Sequence, residues 1–265
     1  MKAFFITTVY QPLYNVLVFL IDVLPGNGVG LAVILLTLLV KFVLFPLSKK
    51  ATITQLKIKE LDKGVNEIKE KYKNNKEEQA KAMMAYYKEN GVNPFSGIIL
   101  LFIQIPILLS LYFMVLKGLP QVDTSILYSF VNAPTVDMHF VGSIDLAGKS
   151  FILALLAAVT QYIQVHFAMP LPPPKKGKES SFKDDFARSM NLQMRFFMPA
   201  LIFIILFPFP PFSYIFPAIP SVIALYWITS NVFAIGQELY LRKTIKNKRK
   251  EEISIDKSGN LETIK

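Results

Sequence analysis

Runs of about 20 apolar residues recur along this chain and limit what it can fold into. A helix needs about 20 predominantly apolar residues to cross the hydrocarbon core of a bilayer. The chain is 52% hydrophobic and 18% charged, against about 25% charged in soluble domains. We therefore predict an all-α, polytopic membrane protein. The candidate spans are residues 4–24, 29–47, 95–116, 151–171, 196–212 and 214–236.

Two of these runs are interrupted. The fifth ends in FPFPPF, residues 207–212, which fits a tight hairpin between the last two spans. The first carries Gln11-Pro12, Asn15 and Asp22, and proline breaks a helix interior. A helix lying in the membrane interface fits the first run at least as well as a span. A cleaved signal peptide is the third option. We predict five spans.

The basic residues give these spans an orientation. Residues 49–93, residues 172–195 and the tail after Tyr240 hold 11, 6 and 8 of the 29 lysines and arginines. Alternate connections are therefore basic, which is the positive-inside pattern of cytoplasmic loops. It predicts an outer amino terminus and a cytoplasmic carboxyl terminus. It also accounts for most of the net charge of +10, so no DNA partner is expected.

The predicted organisation follows from these two patterns. Residues 1–28 form an extracytoplasmic interfacial helix, 118–149 an extracytoplasmic loop, 172–195 a cytoplasmic loop and 241–265 a basic cytoplasmic tail. The five spans are residues 29–48, 94–117, 150–171, 196–212 and 213–240.

Residues 49–93 carry a helical pattern of their own. Apolar residues repeat at alternating spacings of three and four, and the segment KNN, residues 73–75, ends the repeat. A second helix would end at Gly91, a favourable residue just after a helix. We predict a cytoplasmic helical hairpin; the alternative is a charged loop that only anchors topology. The repeat comprises Ile58, Leu61, Val65, Ile68 and Tyr72, and the second helix carries Ala80, Met84 and Tyr87 on one face.

Several kinds of chemistry are excluded or unsupported. The chain has no cysteine, which excludes disulfides, thiolate metal sites and a cysteine nucleophile. The segment GSIDLAGKS places five residues between Gly142 and Gly148 where a P-loop has four. His139 and His166 lack the spacing of a metal site. We expect no enzyme activity, no cofactor and no metal.

Lys41 is the only charge in the apolar run that begins at Val29 and ends before Lys49. A charge at the bilayer centre costs about 2.5–3.5 kcal/mol on insertion scales. Such residues usually face a bundle interior or a watery cavity. The alternative is that Lys41 extends toward the cytoplasmic headgroups, because Lys49 lies only about 12 Å further along a helix.

Other polar side chains fall within the apolar runs. Thr37 lies one helical turn before Lys41, and Thr160 and Gln164 share a helix face. Each can line a cavity or form an interhelical hydrogen bond, worth about 0.6 kcal/mol on average. Gln104 and Asn231 fit either role equally well. The remaining polar residues of this kind are Gln161, Tyr226, Trp227 and Ser230.

Four blocks occur in a fixed order along the chain: LLVKFVLFPLSKK (38–50), NPFSGIILLFIQIPILLSLYF (93–113), MPALIFIILF (198–207) and ALYWITSNVFAIGQELYLRK (224–243). Together they resemble the YidC-type membrane protein insertase family. The resemblance implies a core of five spans with a cytoplasmic helical hairpin and an outer interfacial helix. It also implies the minimal form without a large extracytoplasmic domain, in a bacterial inner membrane because no transit peptide precedes the core.

The resemblance further implies a hydrophilic groove that opens to the cytoplasm and to lipid. The family usually has arginine at the position of Lys41, and lysine keeps the charge but lacks the two-pronged guanidinium. Gln164 and Trp227 match groove positions of the family. The hairpin would receive the incoming chain through Leu61, Ile68, Tyr72, Met84 and Tyr87. The predicted groove residues are Lys41, Thr37, Gln104, Gln164, Tyr226 and Trp227.

The expected function is therefore that of a membrane protein insertase and chaperone. The expected partners are nascent membrane proteins and the lipid bilayer, with the ribosome and the Sec translocon as candidates. A small transporter or channel that uses Lys41 is an alternative, although it predicts internal repeats that the sequence lacks. An assembly factor without insertase activity is the other alternative.

Overall fold

The structure, a computed structural model, describes residues 2–119, 121–168, 182–210, 212–214 and 219–257. These residues are mostly helical, which confirms the all-α class. The first part of the predicted cytoplasmic loop, up to residue 181, and the end of the predicted tail, residues 258–265, lie outside the described residues. The chain forms two compact units, Met1–Lys41 with Leu108–Lys265 and Phe42–Ile107.

The α-helices of the described residues are numbered in chain order. They are α1 (Lys2–Phe5), α2 (Gln11–Val23), α3 (Val29–Glu60), α4 (Asp62–Lys71), α5 (Lys76–Glu89), α6 (Ser96–Lys117), α7 (Phe151–Ala168), α8 (Phe182–Leu206) and α9 (Ser221–Lys257). Two short strands, β1 (His139–Phe140) and β2 (Ile144–Asp145), pair antiparallel between α6 and α7. Three stretches in the described part of the chain are long and apolar enough to cross a membrane: Ile6–Val23, Val29–Ile58 and Phe151–Ala168.

Among the remaining predicted spans, α6 is a helix of 22 residues, from Ser96 to Lys117. Phe102–Lys117 of α6 and Arg195–Leu206 of α8 are the apolar stretches of 10–17 residues found among the described side chains. Three helices also continue past the predicted ends of their spans. A helix segment in the membrane and one in water differ in amino-acid composition, but they have the same backbone conformation. Thus α3 reaches Glu60, α8 begins at Phe182 inside the predicted loop, and α9 runs into the predicted tail. Helix bounds do not fix membrane position, so the five-span topology stays a prediction.

Pro12 does not end the first helical segment. Ile6–Tyr10 form a π-helical turn between α1 and α2, in which the N–H of Gln11 donates to the carbonyl of Ile6. Proline has no N–H, and its ring clashes with the carbonyl of the residue four positions earlier. A widened turn relieves that clash. The helix therefore continues through Pro12, although the sequence predicts a break there.

The polar side chains of α2 hold the segment that follows α6. The Asn15 amide donates to the carbonyl of Ile126 over 3.0 Å and accepts from the N–H of Tyr128 over 2.6 Å. The Tyr14 hydroxyl donates to the carbonyl of Gly118 over 2.9 Å and accepts from the N–H of Asp123 over 2.8 Å. Asn15 is buried. These bonds satisfy irregular backbone, which explains the polar residues of an otherwise apolar helix.

Contacts at both ends show how α7, α8 and α9 run. The N–H of Ser221 donates to the carbonyl of Gly148 over 2.7 Å, at the start of α9 and just before α7. Arg242, far along α9, donates to the carbonyl of Phe167, near the end of α7. α7 and α9 are therefore parallel. Phe151, at the start of α7, contacts Phe207 just after α8, so α8 runs antiparallel to α7.

The loop between α6 and α7 joins several helices at one end of this bundle. The N–H of Val29, the first residue of α3, donates to the carbonyl of Asp137 over 3.0 Å. The N–H of Val222 donates to the carbonyl of Leu146 over 3.1 Å, and the Ser221 hydroxyl donates to the carbonyl of Asp145 over 2.7 Å. Backbone carbonyls of the loop thus accept hydrogen bonds from the first residues of α3 and α9. Apolar side chains could not have supplied these bonds.

In the second unit, α4 and α5 form the helical hairpin. The Asn75 side chain accepts from the N–H of Glu78 over 3.2 Å and starts α5. Gly91 has a φ of +63° and ends it. The Gln79 amide joins the two helices by donating to the carbonyl of Lys69 over 2.9 Å. A methyl group at Gly64 would collide with the Tyr86 ring, so glycine permits the close approach of α4 and α5.

Candidate functional site

Polar side chains of α7 and α9 bond to one another across the helix pair. The indole N–H of Trp227 donates to the side-chain oxygen of Gln161 over 2.9 Å. The amide nitrogen of Gln161 donates to the side-chain oxygen of Gln164 over 3.1 Å. The Asn231 amide donates to the Thr160 hydroxyl over 3.2 Å. We call these five residues, Thr160, Gln161, Gln164, Trp227 and Asn231, the polar cluster.

Helical spacing and small residues bring the polar cluster together. Trp227 and Asn231 are four residues apart and share a face of α9, while Gln161 and Gln164 are three apart on α7. One turn or more before the cluster, Ala154 and Ala157 on α7 are fully buried. Small residues of this kind let two helix backbones approach closely in a membrane. The cluster therefore lies where side chains of both helices can reach each other.

A charged pair lies further along the same two helices. The Arg242 guanidinium bonds to the Glu238 carboxylate over 2.7 Å, and the two side chains lie four residues apart on α9, where opposite charges can pair. It also donates to the carbonyl of Phe167 in the last turn of α7. The last carbonyls of a helix carry partial negative charge and lack intrahelical partners. Arg242 thus caps α7 and ties it to α9 beyond the polar cluster.

Thr37 and Lys41 lie on α3, one turn apart. The Thr37 hydroxyl donates to the carbonyl of Val33 over 2.6 Å, and the side chain is only 3% exposed. Its hydroxyl hydrogen is thus used within its own helix. Lys41 is partly buried. Of this predicted pair, Lys41 is the more accessible side chain.

The other predicted groove residues differ in exposure. Tyr226 is 5% exposed and belongs to the apolar core of its unit, whereas the adjacent Trp227 is partly buried. Gln164 is also partly buried. Gln104 lies in the second unit, on α6, and is partly buried there. Substrate contact by these residues stays a prediction.

The predicted hairpin residues differ in how far their side chains are buried. Four of them are partly buried, and Met84 is 44% exposed. Burial raises the pKa of the Tyr87 hydroxyl, and the nearby Asp62 carboxylate adds to that shift. Tyr87 is therefore neutral at physiological pH and can bury its ring. Val65, at 3% exposure, is the best-buried side chain of α4. The four partly buried residues are Leu61, Ile68, Tyr72 and Tyr87.

Gln161 is not among the predicted groove residues. In the sequence, Thr160 and Gln164 are four residues apart and share a helix face, which does not include Gln161. The spacing of three between Gln161 and Gln164 was the available signal, because side chains three apart on a helix are also neighbours. Its bond to Trp227 could not be seen in sequence. In the described part of the chain, no three His, Asp or Glu side chains are grouped as metal ligands.

Comparisons with known proteins agree with the fold and the apolar helices. Residues 20–249 match the sequence model of a family described as 60Kd inner membrane protein. The chain is 30% identical over 247 residues to membrane protein insertase YidC of Wolinella succinogenes, covering 93% of this chain and 39% of that protein. It is 29% identical to membrane protein insertase YidC of Clostridium perfringens, covering 93% of this chain and 92% of that protein. The chain is also 30% identical to a relative from Francisella philomiragia, and it covers 32% of that relative's length.

Proposed function

Because the chain belongs to the 60Kd inner membrane protein family, we propose that it inserts proteins into a bacterial membrane and assists their folding. The relatives at about 30% identity are named membrane protein insertases. The proposed substrates are nascent membrane proteins. The Sec translocon and the ribosome are proposed as partners, the latter through the basic residues that follow Tyr240.

The observation that supports this function best is the polar cluster of α7 and α9. Hydrogen-bonding side chains are rare in apolar helices and face a bundle interior or a hydrated cavity when they occur. Here an indole N–H and two glutamine amides lie side by side on partly buried residues. Such a surface lowers the cost of holding a polar segment partway across a membrane, because the segment exchanges water for fixed hydrogen-bonding groups.

Lys41 supplies the charge in this proposal. A lysine ammonium attracts acidic residues in the segment that must cross to the outer side, and the attraction is strong where water is scarce. The substrate then leaves sideways into lipid. Burying about 20 apolar residues at about 25 cal/mol per Å² releases on the order of tens of kcal/mol before costs. Insertion of this kind consumes no nucleotide and changes no covalent bond.

We propose the orientation that the basic residues predict, with the amino terminus outside and the carboxyl terminus in the cytoplasm. The absence of cysteine makes this simple to test. A cysteine in place of Ser143, which is exposed beside β2, should react with an impermeant maleimide from outside intact cells. A cysteine in place of Lys73, in the turn of the hairpin, should react only after the cells are opened. The reverse labelling pattern would exclude this orientation.

Reconstitution tests insertion itself. Purified protein in liposomes should insert a single-span substrate, added from a cell-free translation system without Sec, so that its outer segment is protected from protease. Empty liposomes and liposomes with an unrelated membrane protein are the controls. Equal protection in all three preparations would contradict the proposed function and favour an assembly factor. A transporter or channel would instead conduct solute and leave substrate insertion at background.

A further inference from the structure

We propose that Gln161 is a positioning residue that fixes the direction of the Gln164 amide, so that Gln164 offers N–H donors to the substrate. The inference rests on the proposed function and specifies the chemistry that the site recognises. It is carried by the two consecutive bonds from Trp227 to Gln161 and from Gln161 to Gln164.

The direction of both amides follows from the indole. A tryptophan indole N–H can only donate, whereas a glutamine side chain carries an accepting oxygen at one corner and a donating NH₂ at the other. The atom of Gln161 that faces Trp227 at 2.9 Å must therefore be its oxygen. Its nitrogen then faces Gln164 at 3.1 Å, and the atom of Gln164 in that bond must be its oxygen. Neither amide can be reversed without placing two donors or two acceptors together.

This leaves the NH₂ group of Gln164 at the end of a chain of donors. Among the described residues, no side chain or carbonyl accepts a hydrogen bond from it, and Gln164 is partly exposed. Consecutive hydrogen bonds that point in one direction polarise each other, so the two preceding donors make the terminal N–H groups better donors. The substrate groups that fit are carboxylates and backbone carbonyls. The side chains of lysine and arginine offer only further donors, so a segment rich in them can accept only through its backbone carbonyls.

Trp227 makes the chain of bonds measurable. It is the only tryptophan among the 265 residues, so one indole ¹⁵N–¹H signal reports the first bond in protein reconstituted in nanodiscs. Gln161→Met keeps the length of the side chain and removes both bonds. Gln164→Met removes only the second. Asn231→Leu is the matched control, because it breaks the neighbouring bond to Thr160 between the same helices and leaves the Trp227 bond intact.

We expect Gln161→Met to move the indole proton signal upfield by a clear margin and Gln164→Met to move it slightly in the same direction. Asn231→Leu should leave the signal unchanged. An unchanged signal in Gln161→Met would overturn the inference, because the indole bond would not exist in the membrane. An equal shift in Asn231→Leu would also overturn it, because any loosening of the helix pair would then suffice.

Substrate preference is the second readout. Two single-span substrates that differ only in an outer segment with aspartates or with lysines are compared in liposomes. Gln161→Met and Gln164→Met should each lower the ratio of aspartate to lysine substrate inserted about two- to tenfold, as the loss of one hydrogen bond predicts. The double variant should lose no more than either single one, because the residues act in series.

The outcomes separate the two proposals. An unchanged ratio in Gln161→Met, or losses that multiply in the double variant, would overturn the positioning role while insertion persists. A wild-type protein that inserts neither substrate would overturn the proposed function, and the substrate chemistry with it, whereas the indole signal would still decide whether the bonds exist.

Discussion

Replacing Lys41 with glutamate is expected to reduce insertion of a substrate with an acidic outer segment by tenfold or more. Hydrogen bonds that involve a charged group contribute about 1.5–3 kcal/mol, and about 1.4 kcal/mol corresponds to a factor of ten. Glutamate removes this attraction and adds repulsion. Lys41→Leu removes the attraction alone and should cost about tenfold. Lys41→Arg keeps the charge and should retain most of the activity. The measurement is protease protection of the substrate in liposomes.

Two controls distinguish this role from a lysine that only reaches toward the headgroups. Lys49→Leu removes an exposed charge from the same helix and should leave insertion within about twofold, since exposed charges contribute little. A neutral outer segment should be affected less by Lys41→Leu than an acidic one. The variant itself should accumulate normally, because removing a charge from a span eases its own insertion by up to about 3 kcal/mol. Full activity of Lys41→Leu on both substrates would contradict the proposed role.

Removing the helical hairpin is expected to bring insertion close to the level of empty liposomes. In this variant a Gly/Ser linker of about six residues replaces residues 61–90, which leaves α3 and α6 whole. Lys49 and Lys50 remain, so the positive-inside signal is preserved. The proposed reason is that the incoming chain must first bind outside the membrane, where the hairpin presents apolar side chains such as Met84, which is 44% exposed.

The hairpin has its own matched control. Lys81→Ser with Glu77→Ser removes an exposed ion pair of α5 without changing the helices or the net charge, and should leave insertion unchanged. The deletion variant must reach the membrane in normal amounts, which immunoblotting of the membrane fraction checks. Wild-type insertion by a deletion variant of normal abundance would contradict the receiving role and would leave the hairpin as a topology anchor.

The fold class and the family could be predicted from the sequence, because apolar runs and four ordered blocks need no tertiary information. Side-chain pairs can be read from the sequence where both partners lie about one helical turn apart, as for Glu238 and Arg242. Helix ends were less predictable. Residues 47–60 contain no proline or glycine to stop α3, so the helix continues to Glu60 and Ile58 lies on α3, apart from the rest of the predicted repeat.

Interactions between distant segments could not be predicted in the same way. Asn15 and Gln11 suggested an interfacial helix, but their partners, the backbone groups of Ile126 and Tyr128, lie more than 100 residues away. The Trp227 indole likewise bonds to Gln161, 66 residues earlier in the chain. A single sequence shows which residues need a partner, because buried polar groups are costly. It does not show which partner the packing of α7 against α9 supplies.

Crosslinking from α3 tests the central claim, that substrate passes along the face of this helix that carries Lys41. A photoreactive phenylalanine derivative is placed at position 41 or at position 39, which lie about 200° apart around a helix, and Leu39 is 49% exposed. The substrate is a ribosome-stalled nascent chain with an acidic outer segment. The proposed mechanism predicts a strong adduct with the nascent chain from position 41, and adducts with lipid from position 39. Equal adducts from both positions, or a nascent-chain adduct from position 39 alone, would contradict it.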